Sequence, residues 1–286
     1  MAVHSWAFSP LVGTEASKTS QNKHAERAKR GNENTMSEEL KQQFDQDGYI
    51  IIREFMTGNE FTALQSEIDR YISDVVPTLP DTSAFYHDKS RSETLKQLQH
   101  MQVDPFFDDY RYSPKWTDLA ATLIGEPVDP QGNEWFAKPP GTLHPTPPHQ
   151  DNFYFCLKPC NVATMWLALD KVDEENGCLR YVPGSHKLGI RPHSRTKVLG
   201  FSQGIVDYGE QDRAKEIVVT LEPGDLAVHH GAMIHRAEPN RSTSRLRRAF
   251  ALVCYGKSAT RDAEAFARYN DSLKSQHSEI GLGSVS

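Results

Sequence analysis

Two histidines and an aspartate that could bind a metal ion stand out in the sequence. His149 and Asp151 lie in the stretch "PPHQDNFYF", and His235 ends the β-like run "LAVHHGAMIH". Two imidazoles and one carboxylate on one face of an ion leave up to three coordination positions open, which is the ligand set of non-haem iron(II) oxygenases. His229 and His230 compete with His235 for the third position. Because a His-x-Asp triplet is common by chance, the interpretation depends on further features.

An arginine on a predicted strand is the second feature. The stretch "RLRRAFALVCYG" alternates as a strand, and one of its faces carries Arg247, Ala249 and Ala251. Small side chains leave room beside the guanidinium, which can bind the far carboxylate of a dicarboxylic acid through two hydrogen bonds. Arg248, on the opposite face, is the alternative.

The elements that must position these residues change in type along the chain. A short helix over 37–47 is predicted first, then the β-rich run "GYIIIREF" and two helices around 61–72 and 115–125. From about residue 130, short β-like runs alternate with Pro/Gly turns, a pattern typical of a sandwich or barrel. These runs are "EWFAKPPG", "FYFCL", "ATMWLALD", "CLRYVPGS", "EIVVTLEPGD", "LAVHHGAMIH" and "RRAFALVCYG". The order predicts an α+β, mainly β fold in which N-terminal helices support a β-barrel.

Composition limits the partners and the compartment. The 286 residues carry a net charge of −6, so nucleic acid is not an expected partner. No apolar run is long enough to span a membrane. Four cysteines are too few for a disulfide scaffold, which favours a reduced, cytoplasmic location. Residues 1–36 are polar and without apolar periodicity, and we expect a disordered leader there followed by one domain over 37–286.

Taken together, several segments resemble the phytanoyl-CoA dioxygenase family. The resemblance covers most of 40–255 and rests on "FDQDGYIIIREFM", "KPPG", "HQD", "MWLALDKVDEENGCLRYVPGSHK", "PGDLAVHHGAMIHRAEPNRS" and "RRA". It implies a double-stranded β-helix, a jelly-roll relative of the cupins. It also implies dependence on Fe(II), 2-oxoglutarate and O2, and most members of the family hydroxylate an unactivated C–H bond.

The family's functional positions can be carried over residue by residue. The metal ligands fall on His149, Asp151 and His235, and the arginine that holds 2-oxoglutarate falls on Arg247. These four form the implied catalytic set. Other co-substrate contacts of the family map to Trp166 and Gln97. A further one maps to Glu134, which we discount because a carboxylate is an odd neighbour for an anionic co-substrate. The chain departs from the family at Ala237, where a serine is frequent, and one extra residue separates the distal histidine from the arginine; an insertion near Ser242–Arg245 would absorb it.

The predicted function is hydroxylation of a small, polar or anionic metabolite, with release of succinate and CO2. Candidate substrate contacts beside the metal ligands are Gln150, Asn152, Phe153 and Tyr154. A basic loop over 187–213 could meet an anionic substrate through Lys187, Arg191, His193, Arg195 and Lys197. Two alternatives use the same residues, namely a zinc enzyme that activates water without oxidation, and a non-catalytic binding barrel.

Overall fold

The structure is a computed structural model that describes residues 35–80, 82–198 and 201–279. Contacts divide the chain into Met1–Leu40 and Lys41–Ser286, and the fold described below belongs to the second unit except for residues 35–40. The predicted disordered leader lies almost entirely outside the described residues, so it stays a prediction. Among the described residues no helix combines the length and the apolar character that crossing a membrane requires.

Helices and strands alternate in the first part of the chain, and strands dominate afterwards. The helices are α1 (35–47), α2 (Gly58–Arg70), α3 (Pro105–Tyr110), α4 (Pro114–Ile124), α5 (Asn152–Phe155), α6 (Glu210–Arg213) and α7 (Ala263–Glu279). The strands are β1 (Tyr49–Ile52), β2 (Ala84–Tyr86), β3 (Leu95–Leu98), β4 (Val128–Lys138), β5 (Thr146–His149), β6 (Leu157–Lys158), β7 (Val162–Ala168), β8 (Leu179–Tyr181), β9 (His193–Val198), β10 (Phe201–Ile205), β11 (Ile217–Val219), β12 (Leu226–His230), β13 (His235–Ala237), β14 (Arg247–Gly256) and β15 (Thr260–Arg261).

Two antiparallel sheets form the centre of the fold. The larger has seven strands in the order β1-β12-β7-β14-β4-β3-β2, and the smaller has four in the order β11-β8-β13-β5. Small residues of the larger sheet, among them Ala168, Ala249 and Ala251, pack in one buried cluster with Leu179 and Tyr181 of the smaller sheet. The cluster therefore lies between the sheets, as expected for a jelly roll, and the predicted mainly β fold is confirmed.

The other face of the larger sheet is covered by helices. The ring of Phe250 on β14 lies 5.9 Å from Phe107 of α3 and 6.1 Å from Trp116 of α4. All three side chains are fully buried. Because successive residues of a strand point to opposite faces, Phe250 anchors the helices while Ala249 and Ala251 face the other sheet. The predicted supporting role of the N-terminal helices is thereby confirmed for α3 and α4.

Two of the predicted strands take a different form. Only the last residue of "FYFCL" lies in a strand, β6, because Asn152–Phe155 form a helical turn that ends at Cys156 in a left-handed conformation. The side chain of Asn152 bonds the backbone N–H and carbonyl of Leu157 and so replaces the partner that a strand would need. "LAVHHGAMIH" is divided at Gly231, and His235 begins a second strand in the other sheet.

The entry into β12 depends on a glycine. Gly224 has φ +89°, and a Cβ at this position would lie 2.1 Å from the carbonyl oxygen of Met56. Met56 also donates its backbone N–H to the carbonyl oxygen of Gly224 at 3.0 Å. No side chain fits there unless the β1–α2 connection moves away from β12.

We expect Gly224→Ala to lower the free energy of unfolding by more than about 2 kcal/mol, because left-handed strain of about 1–2 kcal/mol adds to the clash. Urea unfolding measures the change. Gly141→Ala is the matched control, since Gly141 also has a positive φ, +72°, but open space around the added Cβ. Equal losses in the two variants would contradict the role given to the Met56 contact.

Candidate active site

Strand pairing brings the two candidate histidine ligands together. In the smaller sheet β5 pairs antiparallel with β13, and His149 lies directly opposite His235. Their ring centroids are 4.1 Å apart. Asp151 follows β5 by two residues, and its Oδ1 lies 3.5 Å from the Nε2 atom of each histidine. Each of the three residues therefore offers one ligand atom, and these three atoms lie within 4.8 Å of one another, which suits one metal ion.

Backbone carbonyls fix which nitrogen of each imidazole is free. Nδ1 of His149 lies 2.8 Å from the oxygen of Pro147, and Nδ1 of His235 lies 3.0 Å from the oxygen of Met233. A carbonyl can only accept, so each Nδ1 carries the hydrogen and each Nε2 presents a lone pair to the site. Burial, together with repulsion from His149 and His229, lowers the pKa of His235 well below its usual value, which keeps it in the neutral form that binds metals.

The two oxygens of Asp151 have different surroundings. Oδ1 faces the histidine pair, while Oδ2 accepts hydrogen bonds from Thr164 Oγ1 at 2.7 Å and from His229 Nε2 at 3.1 Å. Burial opposes ionisation of this carboxyl, but the neighbouring imidazoles outweigh burial and hold its pKa well below the usual range. His229, the competitor for the third ligand position, thus lies beside the carboxylate and outside the His149–Asp151–His235 group.

A cavity of about 970 Å³ opens from the three candidate ligands and also contains Arg247. The guanidinium is 4% exposed and lies 5.4 Å from the centre of the Trp166 ring, and its Nε has no hydrogen-bond partner. Burial lowers the pKa of Arg247 to about 10, so it is still a cation at neutral pH. Within the described parts of the chain no acidic side chain forms a salt bridge with it.

The two arginines that the sequence left as alternatives point in opposite directions. Arg248 donates to Asp170 through its backbone N–H, Nε and Nη2 at 2.8–3.0 Å. It does not line the cavity, whereas Arg247 does. The arrangement follows from strand alternation on β14, since Arg247, Ala249 and Ala251 share the inward face.

The remaining residues suggested as co-substrate contacts also line the cavity. Trp166, Gln97 and Glu134 all reach it, and Gln97 Nε2 lies 3.5 Å from Glu134 Oε2. Burial, reinforced by the charge of Asp151, raises the pKa of Glu134 to about 7. A carboxyl that is largely neutral at pH 6 does not repel an anionic co-substrate as an ionised one would. The carboxyl of Glu134 is therefore compatible with a cavity that binds an anionic co-substrate, and the reason for discounting this residue does not hold.

Among the predicted substrate contacts only Tyr154 lines the cavity. Gln150 donates to the carbonyls of Gly189 and Ala232, and Phe153 stacks on His193 at 4.1 Å. These two side chains and that of Asn152 hold the backbone around the ligands. In the basic loop Arg191 pairs with Asp207 and Asp212, and Arg195 donates to Ser272. No described residue of 187–213 lines the cavity, so the structure does not bring the basic loop to the predicted substrate.

Sequence reasoning missed two parts of the cavity wall. One is a basic group made of His87, Lys96, His100, Lys138 and His144, which comes from strands β2 to β4 and the loops beside them. The other is α7, which contributes Phe266, Tyr269, Asn270 and Leu273. Thr164 was also missed, although it lies two residues before Trp166 on β7, and the period of two would have placed both side chains on one face.

Comparison with known proteins agrees with this geometry. A family model described as phytanoyl-CoA dioxygenase (PhyH) matches residues 44–249. The chain belongs to the phytanoyl-CoA dioxygenase family. This is a family of Fe(II)- and 2-oxoglutarate-dependent oxygenases, so the predicted family and enzyme class are confirmed. The match ends before α7, and the wall that α7 adds to the cavity lies outside the matched residues.

Individual relatives of this PhyH-family chain have different names. The phytanoyl-CoA dioxygenase of Arabidopsis thaliana is 28% identical over 245 residues, covering 73% of this chain and 85% of the relative. A probable alpha-ketoglutarate-dependent hypophosphite dioxygenase of Stutzerimonas stutzeri is 26% identical over 228 residues, with 77% and 78% covered.

Solved structures share the fold. The epimerase SnoN, in complex with Fe3+, alpha ketoglutarate and nogalamycin RO, has a TM-score of 0.64 and 21% identity over 80% of this chain and 86% of its own. EvdO2 from Micromonospora carbonacea var. aurantiaca, complexed with 2-oxoglutarate, has a TM-score of 0.63 and 22% identity over 79% and 92%. At these identities the likeness supports the jelly-roll architecture.

The raised pKa of Glu134 has a consequence for stability. We expect Glu134→Gln to stabilise the metal-free protein more at pH 8 than at pH 5. The folded state keeps a proton up to about pH 7 that the unfolded chain loses near its ordinary pKa of 4.5, so the stability from that proton is complete below 4.5 and is lost as the pH rises through about 7. The difference in the free energy of unfolding between the variant and the parent should grow by up to about 3 kcal/mol from pH 5 to pH 8, since one pKa unit corresponds to about 1.4 kcal/mol.

Urea unfolding of both proteins at the two pH values measures this difference. Glu210→Gln, at an exposed position on α6, is the control and should change little with pH. A Glu134→Gln effect that is the same at pH 5 and pH 8 would show that Glu134 is ionised throughout this range.

Proposed function

We propose that the protein is an Fe(II)- and 2-oxoglutarate-dependent hydroxylase of a small anionic metabolite. The observation that carries the proposal is the presence of Arg247, a buried cation without an acidic partner among the described residues, in the same cavity as His149, Asp151 and His235. A buried cation is stabilised by a paired anion. A dicarboxylate with one end at the metal and the other at Arg247 would supply that pair.

The donor set fits iron(II). Two neutral imidazoles and a carboxylate are the ligands of oxygenase iron centres, and the described residues place no cysteine in the group. With iron and 2-oxoglutarate bound, the chemistry supplied is the splitting of O2 between succinate, formed with loss of CO2, and a new hydroxyl group on a substrate carbon. His149, Asp151 and His235 would occupy one side of the ion and leave the opposite side for the reactants.

The protein's own residues would then act on binding and orientation. Arg247 would accept the far carboxylate of 2-oxoglutarate in bidentate fashion, with Trp166 beneath its guanidinium plane. Lys138, opposite Arg247 in the β4–β14 register, donates to the carbonyl of Glu238, and burial together with the charge of Arg247 holds its pKa well below the usual value. Glu134, with its raised pKa, would face the co-substrate without a full negative charge. Apolar lining residues such as Phe136 and Ala251 limit the access of water.

A zinc enzyme that activates water could use the same three ligands. A zinc hydrolase does not require a buried arginine in its cavity. Burying an unpaired cation costs free energy, which the binding of an anion offsets. Arg247 therefore favours the oxidative proposal over the hydrolytic one. A non-catalytic barrel would keep the cavity, but it would form no succinate with any substrate.

We expect Arg247→Gln to weaken 2-oxoglutarate binding by about 30-fold or more, since truncating one partner of a buried charge pair costs about 2–5 kcal/mol. Anaerobic titration of the Fe(II) protein, followed by the visible charge-transfer band of the chelate, gives the dissociation constant. Arg248→Gln is the matched control, because Arg248 pairs with Asp170 away from the cavity. Identical dissociation constants for the Arg247 and Arg248 variants would remove the main support for the proposal.

The cavity lining supports an anionic substrate. Its acidic members are Glu134 and Asp151, of which the first has a raised pKa and the second faces the metal site. Its cations are Arg247 and Lys96, whose pKa burial lowers to about 8, while burial lowers the pKa of His87 to about 4 and leaves that imidazole neutral at pH 7. A cavity lined by one sign of charge concentrates ions of the opposite sign.

The names of relatives agree with such a substrate. Phytanoyl-CoA and hypophosphite, which occur in the names of the Arabidopsis thaliana and Stutzerimonas stutzeri proteins, are both anionic compounds. They differ greatly in size and apolar content. The shared property that supports the proposal for this chain is therefore the negative charge and not the carbon skeleton.

We expect carboxylic acids to raise succinate formation above the substrate-free rate more than amides or amines of the same carbon skeleton, because only the acids carry the charge that the basic lining attracts. Succinate is quantified with Fe(II), 2-oxoglutarate and O2 present, and the product should contain one added oxygen atom. Lys96→Met should reduce the preference for acids over amides. Amines that match or exceed the acids would contradict the anionic substrate, and zinc-supported turnover without 2-oxoglutarate would contradict the reaction.

A further inference from the structure

A chain of buried polar side chains leads away from the carboxylate of Asp151. Thr164 Oγ1 and His229 Nε2 both contact Asp151 Oδ2, at 2.7 Å and 3.1 Å. On the far side of the imidazole, Nδ1 of His229 lies 3.0 Å from the hydroxyl of Tyr181. Thr164, His229 and Tyr181 come from β7, β12 and β8, so both sheets contribute to one network.

The donor and acceptor roles in this network are those of the Nε2–H tautomer of His229, which suits an ionised Asp151. A metal-binding carboxylate is ionised and can only accept, so Nε2 of His229 carries the hydrogen that it donates to Asp151. A neutral imidazole then has a lone pair on Nδ1, which accepts from the hydroxyl of Tyr181. Thr164 donates its hydroxyl hydrogen to the same Oδ2. Each of the three hydrogen bonds in the network then joins one donor to one acceptor.

The surroundings make a purely packing role a poor explanation. Tyr181 belongs to the buried apolar cluster between the sheets, with Ala227 and Met233 close by in the same cluster. His229 is 2% exposed and Tyr181 is fully buried. An apolar side chain would fill the His229 position without a desolvation cost, whereas an imidazole there must be hydrogen-bonded on both nitrogens to be tolerated.

We propose that Thr164, His229 and Tyr181 are positioning residues that hold Asp151 so that it binds the metal through Oδ1 alone. The proposal rests on the proposed function. Two hydrogen bonds to Oδ2 would be broken if the carboxylate turned to bring that oxygen to the metal. Hydrogen bonds to a charged group are stronger than those between neutral groups. Monodentate binding keeps three positions free, two for 2-oxoglutarate and one for O2, while bidentate binding would take one of them.

The experiment measures metal binding to the metal-free protein, with Mn(II) as the probe and no substrate or turnover. His229→Phe removes the donor and keeps a flat ring, and we expect it to weaken Mn(II) binding by about 10–100-fold, as is usual when a partner of a metal ligand is lost. His229→Gln should restore most of the affinity, because the amide nitrogen can take the place of Nε2. Tyr181→Phe should weaken binding by a smaller factor, since it only releases the orientation of the imidazole.

A spectrum separates positioning from general loosening of the site. In the Co(II)-substituted protein, His229→Phe should change the shape of the visible d–d bands, because Asp151 can then bind through both oxygens. His230→Gln is the matched control. His230 is the next residue on β12, and its ring lies beside Phe44 and His186, away from Asp151. This variant should bind Mn(II) and Co(II) as the parent protein does.

The outcomes distinguish the positioning role from the proposed function. Parent-like Mn(II) affinity and Co(II) spectra in both His229→Phe and Tyr181→Phe would overturn the inference. Loss of binding in His229→Gln as complete as in Asp151→Ala would also overturn it, because His229 would then be a ligand itself. If Asp151→Ala binds Mn(II) like the parent, the metal site of the proposed function fails instead. Should His229→Phe not fold, Tyr181→Phe and Thr164→Val provide the same comparison of affinity and spectrum.

Discussion

The pairing of β5 with β13 is the constraint on which the site depends. It places His149 opposite His235, and the carbonyls two residues before each histidine orient the two imidazoles in the same way. Asp151 needs only the turn after β5 to reach the same point. A slip of one residue by either strand would turn its histidine to the other face of the sheet, away from its partner. The metal site is therefore a product of strand register more than of any local motif.

Several ionisable side chains near this histidine pair are buried away from water. Arg247 and Lys138 are buried on adjacent strands, and Glu134 shares the cavity with Asp151. Burial lowers the pKa of both cations and raises the pKa of the acid Glu134. The arrangement costs free energy in the empty cavity, and the binding of a dicarboxylate would offset part of that cost.

Much of the fold follows from the sequence because its signals are local. The alternation in "RRAFALVCYG" correctly separates Arg247 from Arg248, and Gly125 ends α4 in the left-handed conformation that glycine favours. The prediction failed where a side chain replaced a backbone partner. The side chain of Asn152 bonds the backbone N–H and carbonyl of Leu157, and the residues before Leu157 in the expected strand "FYFCL" form a helical turn. Periodicity alone carries no information about such a contact.

By itself the sequence determined the family and the jelly-roll class, and it predicted the three candidate ligands and Arg247, because each depends on residue types in a fixed order along the chain. Tertiary structure decided what surrounds them. The Thr164–Asp151–His229–Tyr181 network joins three strands of two sheets, and α7 reaches the cavity more than 100 residues after His149. These contacts depend on register and on packing between distant elements, and no spacing within a single segment can encode them.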